Sequence, residues 1–406
     1  DVKGMLSSLH GSAGAITALQ NSVAHYYQRA SSADYLGVDP TRRSLTGTGG
    51  YVKVGRKGNA KWNFSETFTW SSPGFDLNDM GYMKETDYLM NETEIMYRQT
   101  DIWKIFRYNA FTLSQKNMWN YGGTPFSNNA SLRWQSMTMN RYEWDVKETF
   151  AWNWLDSRLL RGGPDVRFGS YFLTSAKFNT DKAKRMMFML KYEGDHNFEG
   201  NRFNTISPSL TFRLGNHVYL SGQLDYAWNT DEMQYVATTS PLSSSSLAPY
   251  YYVMGHMDQK TYGLTLKLQV NVTPDISIQF YGAPFTSIAK YDDFKLAADT
   301  KSHTFENRFQ RIDPDQLTYA DGVYTIGEGA GQMPFRNPDF RFNEFRSNLV
   351  ARWEYLPGST LYFVWEHRMS NRDNWYSSGW GSNLDRMWGL PATNTFMIKM
   401  NYWFNL

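Results

Sequence analysis

The sequence is built from short stretches in which apolar and polar residues alternate, and this repeat limits the possible folds more than any other feature. In the last stretch, Phe396, Ile398 and Met400 alternate with Lys399 and Asn401. Successive side chains of a β-strand point to opposite faces, so each stretch predicts a strand with one apolar and one polar face. The chain has no run of about 18 apolar residues, so the sequence offers no transmembrane helix.

About 16 such stretches can be counted, with boundaries good to about two to four residues. They lie near 2–9, 47–56, 60–71, 86–97, 103–116, 129–139, 142–154, 168–179, 184–197, 202–214, 217–231, 256–272, 275–286, 345–356, 360–371 and 393–405. An even number of antiparallel strands places both ends of a membrane barrel on the same side.

The connections between these stretches are alternately short and long. Tight turns are expected at 57–59, 140–141, 181–183, 215–216, 273–275 and 357–359, and long polar loops at 72–85, 117–128, 155–167, 232–256, 287–344 and 372–392. One connection near 198–201 is short where a long one is due. The pattern is typical of an outer-membrane barrel with short periplasmic turns and long outer loops. The alternative is a soluble all-β protein, because alternation alone does not separate a lipid-facing surface from a packed core.

Composition excludes several classes of protein and site. With 41 basic and 39 acidic side chains, the formal net charge is only +2, which gives no reason to expect nucleic acid as a partner. The chain has no cysteine, which excludes disulfides, a thiol nucleophile and a zinc–thiolate site. Aromatic residues make up 17% of the chain and cluster near the ends of the predicted strands. This suits the aromatic belts of a membrane protein, although β-propensity also enriches aromatic residues in strands.

The chain starts at Asp1 without a basic-then-apolar leader, so we expect a mature chain or a fragment.

Several segments resemble one protein family. The most specific is RWEYLPGSTLY at 352–362, and the others are HYYQR at 25–29, SLTG at 44–47, SPGFDLNDMGY at 72–82, RGGP at 161–164, TPDISIQ at 273–279, and PF at 284–285 with Tyr291 and Lys295. Together they resemble a Bacteroidota outer-membrane β-barrel family of unknown function, usually found behind an N-terminal domain like carbohydrate-binding family 9. The resemblance covers nearly the whole chain and implies the fold and the location in the bacterial outer membrane. The resemblance gives little indication of a biochemical activity. Family members are longer at the N-terminus, so the resemblance implies that this chain is the C-terminal part of a longer protein.

The alternation also predicts which residues face which way. Polar residues of the predicted strands are expected to face the lumen, namely Lys267, Gln269, Asn271, Arg352, Glu354, Lys399 and Asn401. The aromatic-rich last strand is expected to act as the signal for membrane insertion, through Phe396, Ile398, Met400, Tyr402 and Phe404.

Two stretches outside the regular strands have further features. Residues 1–46 are expected to form the first strand and a segment at the outer mouth, with an amphipathic helix within 12–28. Residues 287–344 form the longest predicted loop, and loops of this length are often functional. We expect this loop to cap or enter the lumen of a single barrel domain spanning 1–406, or else to dock a partner protein.

Catalytic and metal-binding signals are weak. The seven histidines have no metal-ligand spacing, and no Gly-x-Ser-x-Gly or phosphate-binding glycine motif is present. Asp76, Asn78 and Asp79 before Gly81 form a calcium candidate, although such residues also make ordinary turns. No catalytic residue and no cofactor is therefore expected.

Three functions remain open at this stage. The first is a non-enzymatic channel or transporter for polar solutes such as glycans. The second is a scaffold subunit of an outer-membrane complex for secretion, biogenesis or nutrient uptake. The third, a surface hydrolase, would need two carboxyl groups at a set separation. The expected partners are outer-membrane lipid, lipopolysaccharide and other proteins of such a complex.

Overall fold

The structure is a computed structural model that describes residues 1–29, 34–56, 58–78, 81–152, 154–215, 217–242, 249–374 and 379–404. The main strands are β1 Val2–His10, β2 Ser44–Arg56, β3 Trp62–Ser71, β4 Tyr88–Gln99, β5 Phe106–Trp119, β6 Pro125–Thr138, β7 Glu143–Trp152, β10 Tyr171–Asn179, β11 Met186–Asn197, β12 Arg202–Leu214, β13 Val218–Thr239, β14 Tyr251–Asn271, β15 Ile276–Ala297, β20 Phe340–Leu356, β21 Ser359–Asp373 and β22 Thr393–Asn401. Six short strands lie between them: β8 Trp154–Asp156, β9 Val166–Phe168, β16 Phe309–Arg311, β17 Leu317–Ala320, β18 Val323–Ile326 and β19 Met333–Arg336. The helices are α1 Ala13–Gln20 and α2 Trp380–Trp388, with 3₁₀ turns at Phe305–Arg308, Pro314–Gln316 and Gly329–Gly331. No helix in the described part of the chain is long and apolar enough to cross a membrane.

The main strands form one large antiparallel sheet, which confirms the predicted all-β class. Each predicted strand corresponds to one strand of this sheet, and neighbours in the chain are neighbours in space. Over the described residues, β1 pairs only with β2, and β22 pairs only with β21. The sheet is therefore open between β1 and β22, and its closure into a barrel stays a prediction.

The two faces of the sheet differ sharply in chemistry. Partners across antiparallel strands share a face, so the register shows which residues lie together. One face, called the apolar face, carries an unbroken cross-strand row through eight strands: Met186, Phe212, Leu220, Leu268, Phe280, Leu349, Trp365 and Phe396. The opposite face, called the polar face, carries rows such as Asn271, Ser277, Arg352, Tyr362 and Lys399. The apolar face is exposed, with Met186 at 58% and Phe396 at 64% accessibility.

All the long connections leave the sheet at one end, which we call the long-connection end. They span 11–43, 72–87, 153–170, 298–339 and 374–392, whereas the opposite end has only short turns such as 272–275 and 357–358. The connections 120–124 and 240–250 are shorter than predicted because the flanking strands run further. In β13, bulges between Asp231 and Gln234 and between Tyr235 and Ala237 shift the alternation of side chains. Because of this shift, the sequence pattern did not predict the part of β13 after Asp231.

The described parts of segments 11–43 and 72–87 lie on the polar face at the long-connection end. Helix α1 lies within the predicted 12–28. It begins at Ser12, whose hydroxyl accepts a hydrogen bond from the N–H of Ala15, and it buries Ile16 in a cluster with Leu45 on the polar face. The Phe75 ring lies over Gly49, where an added Cβ would be 2.5 Å from a ring carbon. Glycine at this position therefore leaves the space that the ring of the covering segment occupies.

Segments 154–168 and 298–339 complete this covering layer. Ile326 and Phe335 of the three-stranded sheet β17–β19 pack with Met257 and Tyr291 of the polar face. The two segments are joined because the Thr300 hydroxyl donates to the carbonyl of Asp165, 2.6 Å away. The described parts of the four segments 11–43, 72–87, 154–168 and 298–339 are together called the cover.

The predicted loop 287–344 is thus shorter and more ordered than its composition indicated. Its first residues continue β15 to Ala297, and its last residues belong to β20 from Phe340. Between them, β17–β19 and the 3₁₀ turns supply regular structure. Phe309 and Phe335, which lie in the predicted loop, are both buried.

Candidate functional site

Two adjoining cavities lie between the cover and the polar face. The first has a volume of about 380 Å³ and the second about 520 Å³. Trp154, Asp156 and Tyr171 line both cavities, and the two together are called the cleft. Each volume falls in the range of small-molecule binding sites.

Aromatic side chains form one wall of the cleft. Trp154 of β8 pairs with Phe168 of β9, and its ring packs edge-on against Tyr171, with the ring centroids 5.1 Å apart. Phe203 lies on the polar face of β12, next to Asp195 of β11 and Asn229 of β13. Flat aromatic surfaces beside amide and carboxylate groups can hold a ligand that has both apolar ring faces and polar edges.

Three carboxylates also line the first cavity, those of Asp156, Asp195 and Asp231. Asp156 is held in place because its Oδ1 accepts hydrogen bonds from the N–H groups of Arg158 and Leu159, at 2.7 and 3.0 Å. Asp231 accepts from the N–H of Met233 at 2.9 Å. Asp195 is half-buried and projects from the polar face of β11.

The second cavity carries balanced charge. Its basic residues are Arg29, Lys84, Lys116 and Arg158, and its acidic residues are Glu85, Asp87, Asp156 and Asp165. Arg158 pairs with Glu85 at 3.2 Å, which joins segment 154–168 to segment 72–87. The ion pairs that line this cavity therefore also hold the cover segments together.

Asp87 is the most connected of these acids. It is buried and takes a left-handed backbone conformation with φ near 60°. Its Oδ2 accepts from the Tyr35 hydroxyl at 2.6 Å and forms a short ion pair with Arg29, and its Oδ1 accepts from the N–H of Tyr121 at 3.1 Å. Burial, together with the bond to Asp87, raises the pKa of the Tyr35 hydroxyl. One carboxylate thus ties three connecting segments together.

His25 and Asp76 form a second buried link between cover segments. The Nε2 atom of His25 lies 3.7 Å from Oδ2 of Asp76, and its Nδ1 atom lies within hydrogen-bond distance of the Ser22 hydroxyl, at 3.2 Å. Burial lowers the pKa of His25, and the nearby Asp76 carboxylate opposes this effect. Burial also raises the pKa of the neighbouring Tyr27 hydroxyl to about 12.

The calcium candidate does not assemble into a metal site in the described residues. Asp76 accepts from the N–H of Asn78 at 2.7 Å in a local turn, and its other oxygen faces His25. Asp79 lies outside the described residues. Over the described chain, no group of three or more His, Asp or Glu residues is placed to hold a metal ion.

The register places all the residues predicted to face a lumen on the polar face. They are Lys267, Gln269, Asn271, Arg352, Glu354, Lys399 and Asn401. Arg352 and Glu354 pair at 2.5 Å, and Asn401 donates to the Thr360 hydroxyl at 3.4 Å. These residues lie toward the end with short turns, away from the cleft. Their role in lining a lumen stays a prediction.

The predicted insertion signal lies at the open edge of the sheet. Phe396, Ile398 and Met400 lie on the apolar face of β22, next to Trp365, Phe363 and Leu361 of β21. Tyr402 and Phe404 follow the strand, and their rings stack with centroids 6.2 Å apart. All five side chains are exposed, which suits a strand edge open to a partner, and their role in insertion stays a prediction.

The main residues of the cleft were missed by the sequence pattern. Trp154 stood out only as part of an aromatic cluster at a strand end. Asp195 and Asp231 gave no signal, because charged residues at alternate positions are normal on the polar side of any strand. Asp87 could not be recognised from the sequence either, since its hydrogen-bond and ion-pair partners lie far away in the chain.

Comparison with known families agrees with the resemblance at a coarse level. A family model described as a domain of unknown function, DUF5916, matches residues 11–406. The chain belongs to the DUF5916 family. The match covers the cleft, the cover and every main strand except β1, so these features belong to the family's domain. No curated protein and no solved structure matches the chain.

Proposed function

We propose that this DUF5916 chain is an integral outer-membrane β-barrel protein that binds and passes polar solutes such as glycans, without catalysing a reaction. The observation that carries the proposal is the cleft, which places an aromatic wall beside carboxylates and amides on the polar face of a two-faced sheet. Origin from a Bacteroidota species, and a carbohydrate-binding-like domain elsewhere in the protein, belong to the same proposal through the sequence resemblance.

The exposed apolar face supports the membrane location. An apolar row that crosses eight strands without interruption is a large contiguous surface, and soluble monomers rarely expose one. A strand of about ten tilted residues spans the hydrocarbon core. Strands β13–β15 have 22, 21 and 22 residues, so they would project well beyond the bilayer at the long-connection end.

Closure of the sheet is part of the proposal. In a bilayer, every unpaired N–H or C=O group on β1 and β22 would cost several kcal/mol, because no water is there to replace the missing partner. We therefore propose that these two edges are paired in the membrane and that the sheet closes into a barrel. β1 begins and β22 ends at the end of the sheet that has the short turns, and in barrels of this kind short turns face the periplasm.

A polar face that becomes the wall of a barrel provides a path for hydrophilic molecules. The cleft lies on this face. At the long-connection end, the cover narrows the path along it. Glycans suit the cleft because sugar rings have apolar C–H faces that pack on aromatic rings, and hydroxyl edges that bond carboxylates and amides.

The test is single-channel recording in planar bilayers with the purified native protein. We expect ion conductance that short oligosaccharides block in a concentration-dependent way. Trp154→Ala should weaken the block, whereas Trp353→Ala, on the apolar face, should leave it unchanged. Deleting 300–335 should raise the conductance, because that segment covers the polar face. Absence of conductance and of sugar binding would refute the proposal.

One observation favours a scaffold as the second candidate. The cover fills part of the polar face with buried ion pairs such as Arg308 and Glu199 at 2.9 Å, and a filled interior is expected of a structural subunit. A pull-down in mild detergent, with intact masses of every band, separates the two functions. Partners in fixed ratio would favour the scaffold, and a lone species would favour the channel.

A further inference from the structure

The first cavity of the cleft is acidic. Asp156, Asp195 and Asp231 line it together with a single basic residue, Arg202, so three negative charges and one positive charge leave a formal charge of −2. The second cavity, with four basic and four acidic residues, has no such excess. A bound molecule would thus meet the excess of negative charge beside the aromatic wall.

A buried acceptor in the second cavity lacks a donor. Asp165 is only 2% exposed, and its Oδ2 atom pairs with Lys301 at 3.2 Å. Its Oδ1 atom is buried without a hydrogen-bond partner among the described residues, and Asp165 lines the cavity. An unpaired buried acceptor is unfavourable, so this site favours a ligand that brings a donor.

We propose that the cleft prefers oligosaccharides of amino sugars, whose amines are protonated and carry positive charge. This inference rests on the proposed function and names its substrate class. The sugar rings pack on Trp154 and Phe203, and an ammonium group faces Asp195. A second donor on the ligand meets Oδ1 of Asp165.

The same arrangement discriminates against other sugars. A sugar acid would bring a carboxylate next to Asp195, which is a like-charge contact in a partly desolvated site. A neutral sugar can stack on the aromatic wall but gains no charge pairing. An ammonium group close to Trp154 or Tyr171 also gains cation–π attraction.

The test compares three ligands that differ mainly in charge. Binding of a short glucosamine oligosaccharide, of its N-acetylated counterpart and of a galacturonic acid oligosaccharide is measured by calorimetry on the native protein in detergent, at mildly acidic pH. We expect the free amine form to bind at least about five-fold more tightly than the N-acetylated form, the effect of one partly exposed charge pair. Added salt should reduce this ratio.

Two substitutions locate the effect. Asp195→Asn keeps the acceptor oxygen but removes the charge, so it should weaken binding of the amine form and leave that of the N-acetylated form unchanged. Glu366→Gln is the matched control, because Glu366 lies on the polar face at a distance from the cleft. Trp154→Ala should weaken the binding of both the amine form and the N-acetylated form.

The outcomes separate this inference from the function on which it rests. If the N-acetylated form binds as tightly as the amine form, the amino-sugar preference is wrong while glycan binding stands. If the amine form is preferred but Asp195→Asn changes nothing, the assignment to this cleft is wrong. If no oligosaccharide binds, the proposed function fails as well.

Discussion

Replacing Asp87 by Asn tests whether this one buried carboxylate holds the cover in place. Asn is nearly the same size and tolerates the left-handed backbone at this position, so the fold of the sheet should not change. The substitution removes the negative charge opposite Arg29, a residue that is only 6% exposed. The Asn amide has a single acceptor oxygen, so it keeps the bond from the Tyr35 hydroxyl or the bond from the Tyr121 N–H, but not both.

The expected magnitude follows from burial. Removing one partner of a buried ion pair costs about 3–5 kcal/mol, because the other charge stays in a site with little water. Since every 1.4 kcal/mol is a factor of ten, the lower figure raises the population of the opened cover about a hundred-fold. The loss should be local, because Asp87 links connecting segments and lies outside the strand pairing.

Hydrogen exchange in detergent measures this opening directly. The N–H of Thr86, bonded to the carbonyl of Ala24 at 3.0 Å, and the N–H of Tyr27, bonded to that of Gln20 at 2.9 Å, report on the cover. Asp101→Asn is the control, because Asp101 pairs with Lys61 at 2.9 Å but both side chains are largely exposed. If the two substitutions change the exchange of these amides equally, the reasoning about Asp87 is refuted.

Three further predictions follow from the same structure. Gly49→Ala should displace Phe75 and destabilise the cover by about 1–3 kcal/mol, whereas Gly4→Ala, with open space around its Cβ, should have no effect on hydrogen exchange. The lowered pKa of His25 means that the opened state takes up a proton first, so the cover should loosen as pH falls below about 6.5, and a His25→Gln variant should lose this dependence. Truncation of 396–406 should abolish membrane insertion in a fractionation assay, and normal insertion of the truncated chain would contradict the role given to β22.

The strands could be predicted because their signal is local. Alternation of side chains, as in Phe396 to Asn401, depends only on the geometry of the strand itself. The same alternation assigned Lys267 and Arg352 to one face, and the register agrees. The prediction failed at the ends of β13, where two bulges shift the period, and within 287–344, where short strands are held by packing against the sheet.

The cleft could not be predicted, because its residues come from distant parts of the chain. Asp87, Trp154 and Asp195 come to line the two cavities of the cleft only when the antiparallel register aligns the strands and the cover folds back on the polar face. Burial, ion pairing and the unpaired oxygen of Asp165 are likewise products of that packing. The sequence alone determined that the chain forms two-faced antiparallel strands, since side-chain direction alternates from one residue to the next. Only the tertiary structure decided where charge and aromatic surface meet, because that depends on contacts between residues far apart in the chain.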